Sequence, residues 1–382
     1  MRRGIFCYSA LAIAITLAGC NSDNSTDDEK TVEIDYGVKA MEYLTEIADE
    51  TTGIGAREAS SQQEIQTGNW IYDKLTGFGY DVLVQPFTYV KKVEGVDTTF
   101  ISNNYIVEKK GAQDKTILLS AHYDSTGSDH GSLGATDNGA GLAAAIAIAE
   151  KLQTTDLPYN VRILLPGAEE NGLNGSLHYV KNALANGELD NVISMINYDT
   201  VGGGDIVYVH AAHSDYNEYK SKCESLGLDE SNYNKETTIR DAMLQASIDV
   251  IGEDNKYIIH PALAGYPEGE TGSWSDHAGF ACAGIPIAYV EATNFNINGE
   301  YGYDGYSQTT NPQMWDCYDA ETKTACDRDT ETKWGKIWHT EYDKLDKLEE
   351  AFPGRVSEQV KNNVNIVIEL LTNEKYFIQA QG

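Results

Sequence analysis

Three short apolar runs in the middle of this chain each stop on side chains that ionise or coordinate. ILLS runs into AHYDSTG at His122 and Asp124, RILLPGA runs into Glu169 and Glu170, and MINY runs into Asp199. Runs this short, rich in branched residues and bounded by glycine, predict buried strands. A carboxylate at the end of a buried strand is costly unless a cation or a set of hydrogen bonds receives its charge. Repeated three times, the pattern predicts that the strand ends meet at one edge of a sheet. Open α/β sheets place their ligand sites at the carboxyl edge of their strands.

The segments around these runs alternate in type. Helical spacing marks residues 37–50 through Val38, Met41, Leu44 and Ile47, and residues 61–79 through Ile65, Ile71 and Leu75. Strands are predicted near 80–89, 104–109 and 115–121, a helix over the alanine-rich 142–152, then strand 161–166, helix 176–185 and strand 192–198. Strand 286–292 and helix 356–371 close the pattern. Alternation of this kind predicts an α/β fold: a single globular domain over 36–382 with a central mixed, mainly parallel sheet covered by helices on both faces. Residues 299–336 are polar, tyrosine-rich and without apolar periodicity, and are expected to form a long excursion loop.

The formal charge of −31 argues against nucleic acid as a partner, since phosphate binding needs clustered Lys and Arg. At the start, Arg2 and Arg3 precede an apolar run from Ile5 to Ala18, which predicts a signal peptide over 1–19. The run LAGC resembles a bacterial lipobox, and the resemblance implies a mature protein that begins at a lipidated Cys20. An ordinary secretory signal with an incidental cysteine is the alternative. Residues 20–35 then read as the lipidated cysteine and a flexible acidic spacer. The expected location is outside the cytoplasm, on a bacterial membrane, by preference the outer one, with a periplasmic or cell-surface domain held by lipid alone. Of the later cysteines, Cys317 and Cys326 form the easiest local disulfide. Cys223 with Cys282 follows only by elimination, and two free buried thiols are an equal alternative.

Each candidate residue has a bland explanation when taken alone. His122 and Asp124 fit a hydrogen-bonded surface pair, although a histidine ligand often needs such a carboxylate to orient its ring. Asp137, in GATDNGAG before the alanine-rich helix, fits an N-cap; Asp137 and Asn138 could divide the work between a metal and the helix start. Glu169 and Glu170 would repel one another unless a cation accepts at least one. His339 follows the apolar pair Ile337 and Trp338, which could bury its ring.

Together, and in order, AHYDSTG, GATDNGAGLAA, EENGLNGS, NYDT, SDHAGFACAGIPIAYVEATN and WHTEYD resemble the secreted bacterial zinc aminopeptidases of leucyl and broad specificity. The resemblance covers roughly residues 35 to 375, and the late runs YPEGETG, VEATNFN and FPGR are most similar to the alkaline phosphatase isozyme conversion branch of that family. It implies hydrolysis of the first peptide bond of peptides or proteins, whose N-termini would be the substrate, with two zinc ions as cofactors. It further implies His122 and Asp199 on one zinc, Glu170 and His339 on the other, Asp137 bridging, Asp124 orienting His122 and Glu169 as general base. A cis peptide between Asp137 and Asn138 is expected on the same grounds. Two positions depart from the family pattern: Gly272 and Trp338 stand where some members carry a tyrosine for the oxyanion. Ser275, Asp276 and His277 are expected either beside the ligands or in a structural role. Glu268 and Glu270 are candidates for binding a basic first side chain, against the alternative that both are solvated. Other activities on the same site, namely carboxypeptidase, dipeptidase or glutaminyl cyclase, and an inactive receptor-like protein are the competing readings.

Overall fold

The computed structural model describes residues 34–263, 265–299 and 306–378; the signal segment, Cys20 and most of the spacer lie outside them. The chain opens with helices α1 (Tyr36–Ala48) and α2 (Gln62–Gly77), started by the carboxylate of Asp35 and the hydroxyl of Ser61, which accept backbone N–H groups of the first turn. A long hairpin follows, β1 (Leu83–Val93) and β2 (Val96–Lys109), then β3 (Gln113–Ser120), α3 (Gly141–Gln153), β4 (Tyr159–Leu165), α4 (Asn174–Asn186) and β5 (Val192–Tyr198). The second half holds β6 (Ile206–Ala212), α5 (Lys220–Ser225), α6 (Thr238–Ile251), β7 (Glu270–Thr271), α7 (His277–Cys282) and β8 (Ile287–Thr293). It closes with the ribbon β9 (Tyr318–Asp319) and β10 (Thr324–Ala325), and helices α8 (Leu345–Ala351), α9 (Arg355–Thr372) and α10 (Lys375–Ile378).

Eight strands form one sheet in the order β1-β2-β4-β3-β5-β8-β6-β7. The four central strands β4, β3, β5 and β8 run parallel, while β2 joins β4 and β6 joins β8 in antiparallel fashion. This matches the expected mixed, mainly parallel sheet. Alternate side chains of each central strand serve opposite cores, which is why these strands read as continuous apolar runs. On β3, Ile117 and Leu119 pack among α1, α3, α6 and α9, whereas Leu118 packs with residues of α4, α5 and α7. Strand β6 and helix α6 lie outside the elements expected from the sequence, although the run IVYVHAA of β6 is rich in β-branched residues.

The stripes of the first two helices differ from the expected ones. Val38 and Ile65 are exposed, and the buried faces run through Ala40, Tyr43, Leu44 and Ile47 on α1, and through Thr67, Gly68, Ile71 and Leu75 on α2. Close approach decides the second case: a Cβ on Gly68 would lie 2.1 Å from the Tyr105 hydroxyl. Thr67 and Gly68 face inward there in place of Ile65, beside Ile71 and Leu75.

Disulfides join Cys223 to Cys282 and Cys317 to Cys326. The first ties α5 to α7. The second closes the β9–β10 ribbon, so the expected excursion loop is in part ordered around its own small core of Ile297, Trp315, Ala325 and Trp334. Two disulfides fit a chain exported to an oxidising compartment. Among the described residues no helix is long and apolar enough to cross a membrane.

Candidate metal centre

The parallel strands end side by side, so the residues that follow them converge. His122 follows β3, Glu169 and Glu170 follow β4, and Asp199 follows β5; Asp137 sits in the turn that leads into α3. The Asp137–Asn138 peptide is cis, as expected. Neither residue caps α3. Asn138 instead donates to the Tyr198 carbonyl at 2.7 Å, which fastens the turn to the end of β5. His339 arrives from the loop before α8, in a left-handed backbone conformation (φ 60°) with its ring edge-on to Trp338.

The six side chains form two groups that meet at Asp137. Asp137 Oδ1 lies 3.4 Å from His122 Nε2 and Asp137 Oδ2 lies 3.0 Å from His339 Nε2, so its two oxygens face different imidazoles. Asp199 Oδ1 is 3.3 Å from His122 Nε2, and Glu170 Oε2 is 3.0 Å from His339 Nε2. One set of donor atoms, from His122, Glu169 and Asp199, lies within 4.8 Å, as does a second from Asp137, Glu170 and His339. Two ligands held about 2.0–2.1 Å from a tetrahedral ion lie about 3.3 Å apart. The separations fit a divalent cation in each group.

Electrostatics points the same way. Burial, then the Asp137 charge, pushes Glu170 up to about 7, and burial pushes Glu169 well above the usual carboxylate range. His339 is lifted to about 10 because hydrogen bonds to Asp137 and Glu170 outweigh its desolvation. Without a metal, the cluster can ease its repulsion only by taking up protons, and Glu170 Oε1 is buried with no partner.

Three further residues brace this centre. Asp124 accepts the backbone N–H groups of Glu169 at 3.0 Å and Glu170 at 3.2 Å, while its carboxylate stands 3.6 Å from His122 Nδ1. It orients His122 less directly than expected and fixes the two-glutamate loop more directly. Arg57, fully buried, donates to the carbonyls of Tyr123, Gly55, Leu133 and Gly134, tying the loop after β3 to the turn before α3. Asp343, also fully buried, accepts from the backbone and hydroxyl of Thr136 and from Ser132. Sequence reasoning missed Arg57 and Asp343. Asp343 lies four residues past His339 inside a run already singled out, whereas Arg57, between Ala56 and Glu58, carries no signal of its own.

A cavity of about 300 Å³ opens from the cluster and is walled on the far side by aromatic rings and one carboxylate, Glu291. Burial, then the Asp199 charge, pushes Glu291 up to about 8. Glu268 and Glu270 do not reach this cavity. Glu270 accepts from Ser214 N at 2.6 Å, because β7 turns it toward the loop after β6, and Glu268 is exposed. Ser275 and His277 are structural: Ser275 accepts from Asn197 at 2.7 Å and the His277 ring meets the Gly272 carbonyl at 2.9 Å. Gly272 is pressed against the Trp274 ring, and Trp338 lines the cavity beside His339.

A mixed sheet that gathers two candidate cation sites at its carboxyl edge is a frame on which a metal-dependent peptidase can be built. Residues 104–364 match peptidase family M28, and the chain belongs to that family. Over 279 residues it is 26% identical to the alkaline phosphatase isozyme conversion protein of Escherichia coli K12, covering 70% of this chain and 69% of that one. A 110-residue stretch is 37% identical to an aminopeptidase of Pseudomonas aeruginosa, but spans only 20% of it. Among solved structures, a zinc aminopeptidase from Bacillus subtilis superposes with a TM-score of 0.57 over 87% of this chain and 94% of that one, at 16% identity. A glutaminyl cyclase from Fimbriiglobus ruber gives the same TM-score at 16% identity, over 92% and 99%. At such identities the structures speak for the fold alone.

Proposed function

We propose that the chain is an aminopeptidase that removes the N-terminal residue of peptides or proteins at a centre of two zinc ions. The observation that carries this reading is Asp137, whose two oxygens face His122 and His339 separately. His122 and Asp199 would hold one ion, Glu170 and His339 the other, with Asp137 shared. Two imidazoles and three carboxylates suit zinc. Bound there, the pair of ions would lower the pKa of a water toward about 7 and polarise the scissile carbonyl.

Glu169 is the carboxylate left over. Its carboxylate takes the proton of the attacking water and returns it to the leaving amine, the general acid–base role of a carboxylate beside the reacting water. Asp124 holds the Glu169 and Glu170 backbone in place during both transfers. The carboxylate-rich rim of the cavity receives the substrate's free α-amine, which selects a chain end over an internal bond. The decisive experiment pairs metal analysis of the purified full chain with hydrolysis of aminoacyl amides, with and without a chelator, and includes an N-terminal glutaminyl peptide. Two zinc ions per chain and chelator-sensitive amide hydrolysis are expected. One ion per chain would remove the two-ion centre, and cyclisation of the glutaminyl peptide without amide hydrolysis would replace the proposal with the cyclase reading.

A further inference from the structure

Five of the six clustered side chains follow a strand of the sheet or sit in the turn into α3, whereas His339 comes from the loop before α8. Its backbone is left-handed, a conformation that a residue with a side chain keeps only where its surroundings hold it. Thr340 closes the turn that carries it, through an N–H and a hydroxyl that both donate to the Ile337 carbonyl, at 3.2 and 2.6 Å. Those bonds shape the turn but do not aim it at the sheet.

The link to the sheet is Gln308, which is buried. Its side-chain oxygen accepts the backbone N–H groups of Ile337 and Trp338, both at 2.9 Å, and its amide nitrogen donates to the Ala292 carbonyl on β8 at 3.2 Å. Ala292 donates its own N–H to the Thr200 carbonyl, one residue past Asp199 at the end of β5. One side chain therefore spans from the two residues before His339 to the strand ends that supply the other donors. A neutral primary amide suits the task, because it carries an acceptor for two N–H groups and a donor on one planar group. Gln308 is itself pinned: its N–H reaches the Gly335 carbonyl and its carbonyl accepts from Asp205, both at 2.9 Å. Behind it, Gly335 donates to the Met314 carbonyl, and Glu331 accepts from Trp334 and from Cys317 of the disulfide-closed ribbon. Gln308 does not line the cavity, so it can act only through the turn.

We infer that Gln308 is a positioning residue for the ion assigned to His339. It presets the turn, so that His339 meets Glu170 and Asp137 without the ion having to order the loop, and residues 306–337 with their ribbon are the frame that holds it. An imidazole on an ordered turn loses less conformational freedom when a metal binds than one on a free loop. The inference rests on the two-ion reading above, and it gives the expected excursion loop a task that the reaction itself does not.

The test titrates zinc into the metal-stripped full chain in competition with a chromophoric chelator. Wild type should take up two ions. Gln308→Met keeps the length and removes all three side-chain bonds. In that variant one ion should bind about 10- to 100-fold more weakly, the scale of losing a group that orients a ligand, while the other changes by less than about threefold. Turnover lost at limiting zinc should return at excess zinc, and Gln308→Glu, which keeps the acceptor for both N–H groups, should recover part of the affinity. Equal weakening of both ions, or a loss that excess zinc does not restore, would make Gln308 a general stability residue and overturn the inference. Two ions held as tightly as in wild type would overturn it as well. Hydrogen exchange on zinc-free wild type depends on no variant: slow exchange at Ile337 and Trp338 is expected, and exchange as fast as in an unstructured peptide would show that the ion, not Gln308, orders the turn. One ion or none in wild type would remove the two-ion reading and the inference with it.

Discussion

The two sides of the cavity are built differently. On the metal side each short parallel strand delivers one residue or one pair directly after its last turn, and the donors are cross-braced by Asp124, Arg57 and Asp343. On the opposite side the wall is gathered from β8, the loop around Tyr266 and Trp274, and Phe295, and its single carboxylate, Glu291, lies 3.1 Å from His210 Nε2 and keeps one oxygen without a hydrogen bond. The difference teaches which half is fixed and which is free to vary. Ions need donor atoms within a few tenths of an ångström, so the metal side is over-determined. A substrate side chain tolerates more slack, so one residue there can reset specificity.

The sharpest way to break this comparison is on the metal side. Glu169→Ala should keep the metal and the fold yet lose about 10²- to 10⁴-fold in kcat; turnover within a few-fold of wild type, with metal content measured in parallel, would reassign the base. Next come the braces. Arg57→Leu orphans four carbonyl groups that now accept from its guanidinium, and is expected to lower unfolding free energy by about 3–5 kcal/mol. Urea titration of the zinc-loaded protein would read this, and a loss below about 1 kcal/mol would mean that the loops hold themselves.

Glu64 offers a pH-dependent version of the same question. It is buried behind the metal side, accepts from Ser102 at 2.5 Å and from the Ser60 N–H, and burial raises it to about 7 from 4.5. A carboxyl raised on folding contributes stability that is complete below about pH 4.5 and lost as pH rises through about 7. The loss for wild type is up to about 3 kcal/mol, and Glu64→Gln should remove most of it. Urea midpoints at pH 5 and pH 8, at constant zinc, would show the two slopes; equal slopes would sink the assignment. The smallest effect belongs to the loop carboxylates: Glu268→Gln and Glu270→Gln should change the Arg to Leu ratio by less than about twofold, since neither lines the cavity. A larger change from either would put that loop against the substrate.

The metal side was legible because the chain writes it locally. A buried strand, a tight turn and an ionising residue are neighbours in sequence, so His122, Asp137, Glu169, Glu170 and Asp199 could be named from their flanks, and the structure brings all of them together with His339. Asp343 sat in a run that was already conspicuous. Arg57 was not legible, because its partners are backbone carbonyls from three separate loops and carbonyls leave no mark on a sequence. Helix stripes were legible only to within one position, as Val38 and Ile65 show: the face that is buried depends on how closely a partner approaches, which Gly68 and Tyr105 settle between themselves.

By itself the sequence determined the parallel core of the sheet, the edge at which ionising residues gather and the identity of those residues, because continuous apolar runs and strand-end chemistry are local properties. Only the tertiary structure decided that Asp137 divides its oxygens between two histidines, that Glu270 turns away to Ser214, and that Glu291 enters the cavity. Those outcomes depend on the register of β5 against β8 and on the path of β7 beside β6. Register is set by packing between residues about ninety positions apart in the chain, and a one-residue slip would send Glu291 to the opposite face of the sheet.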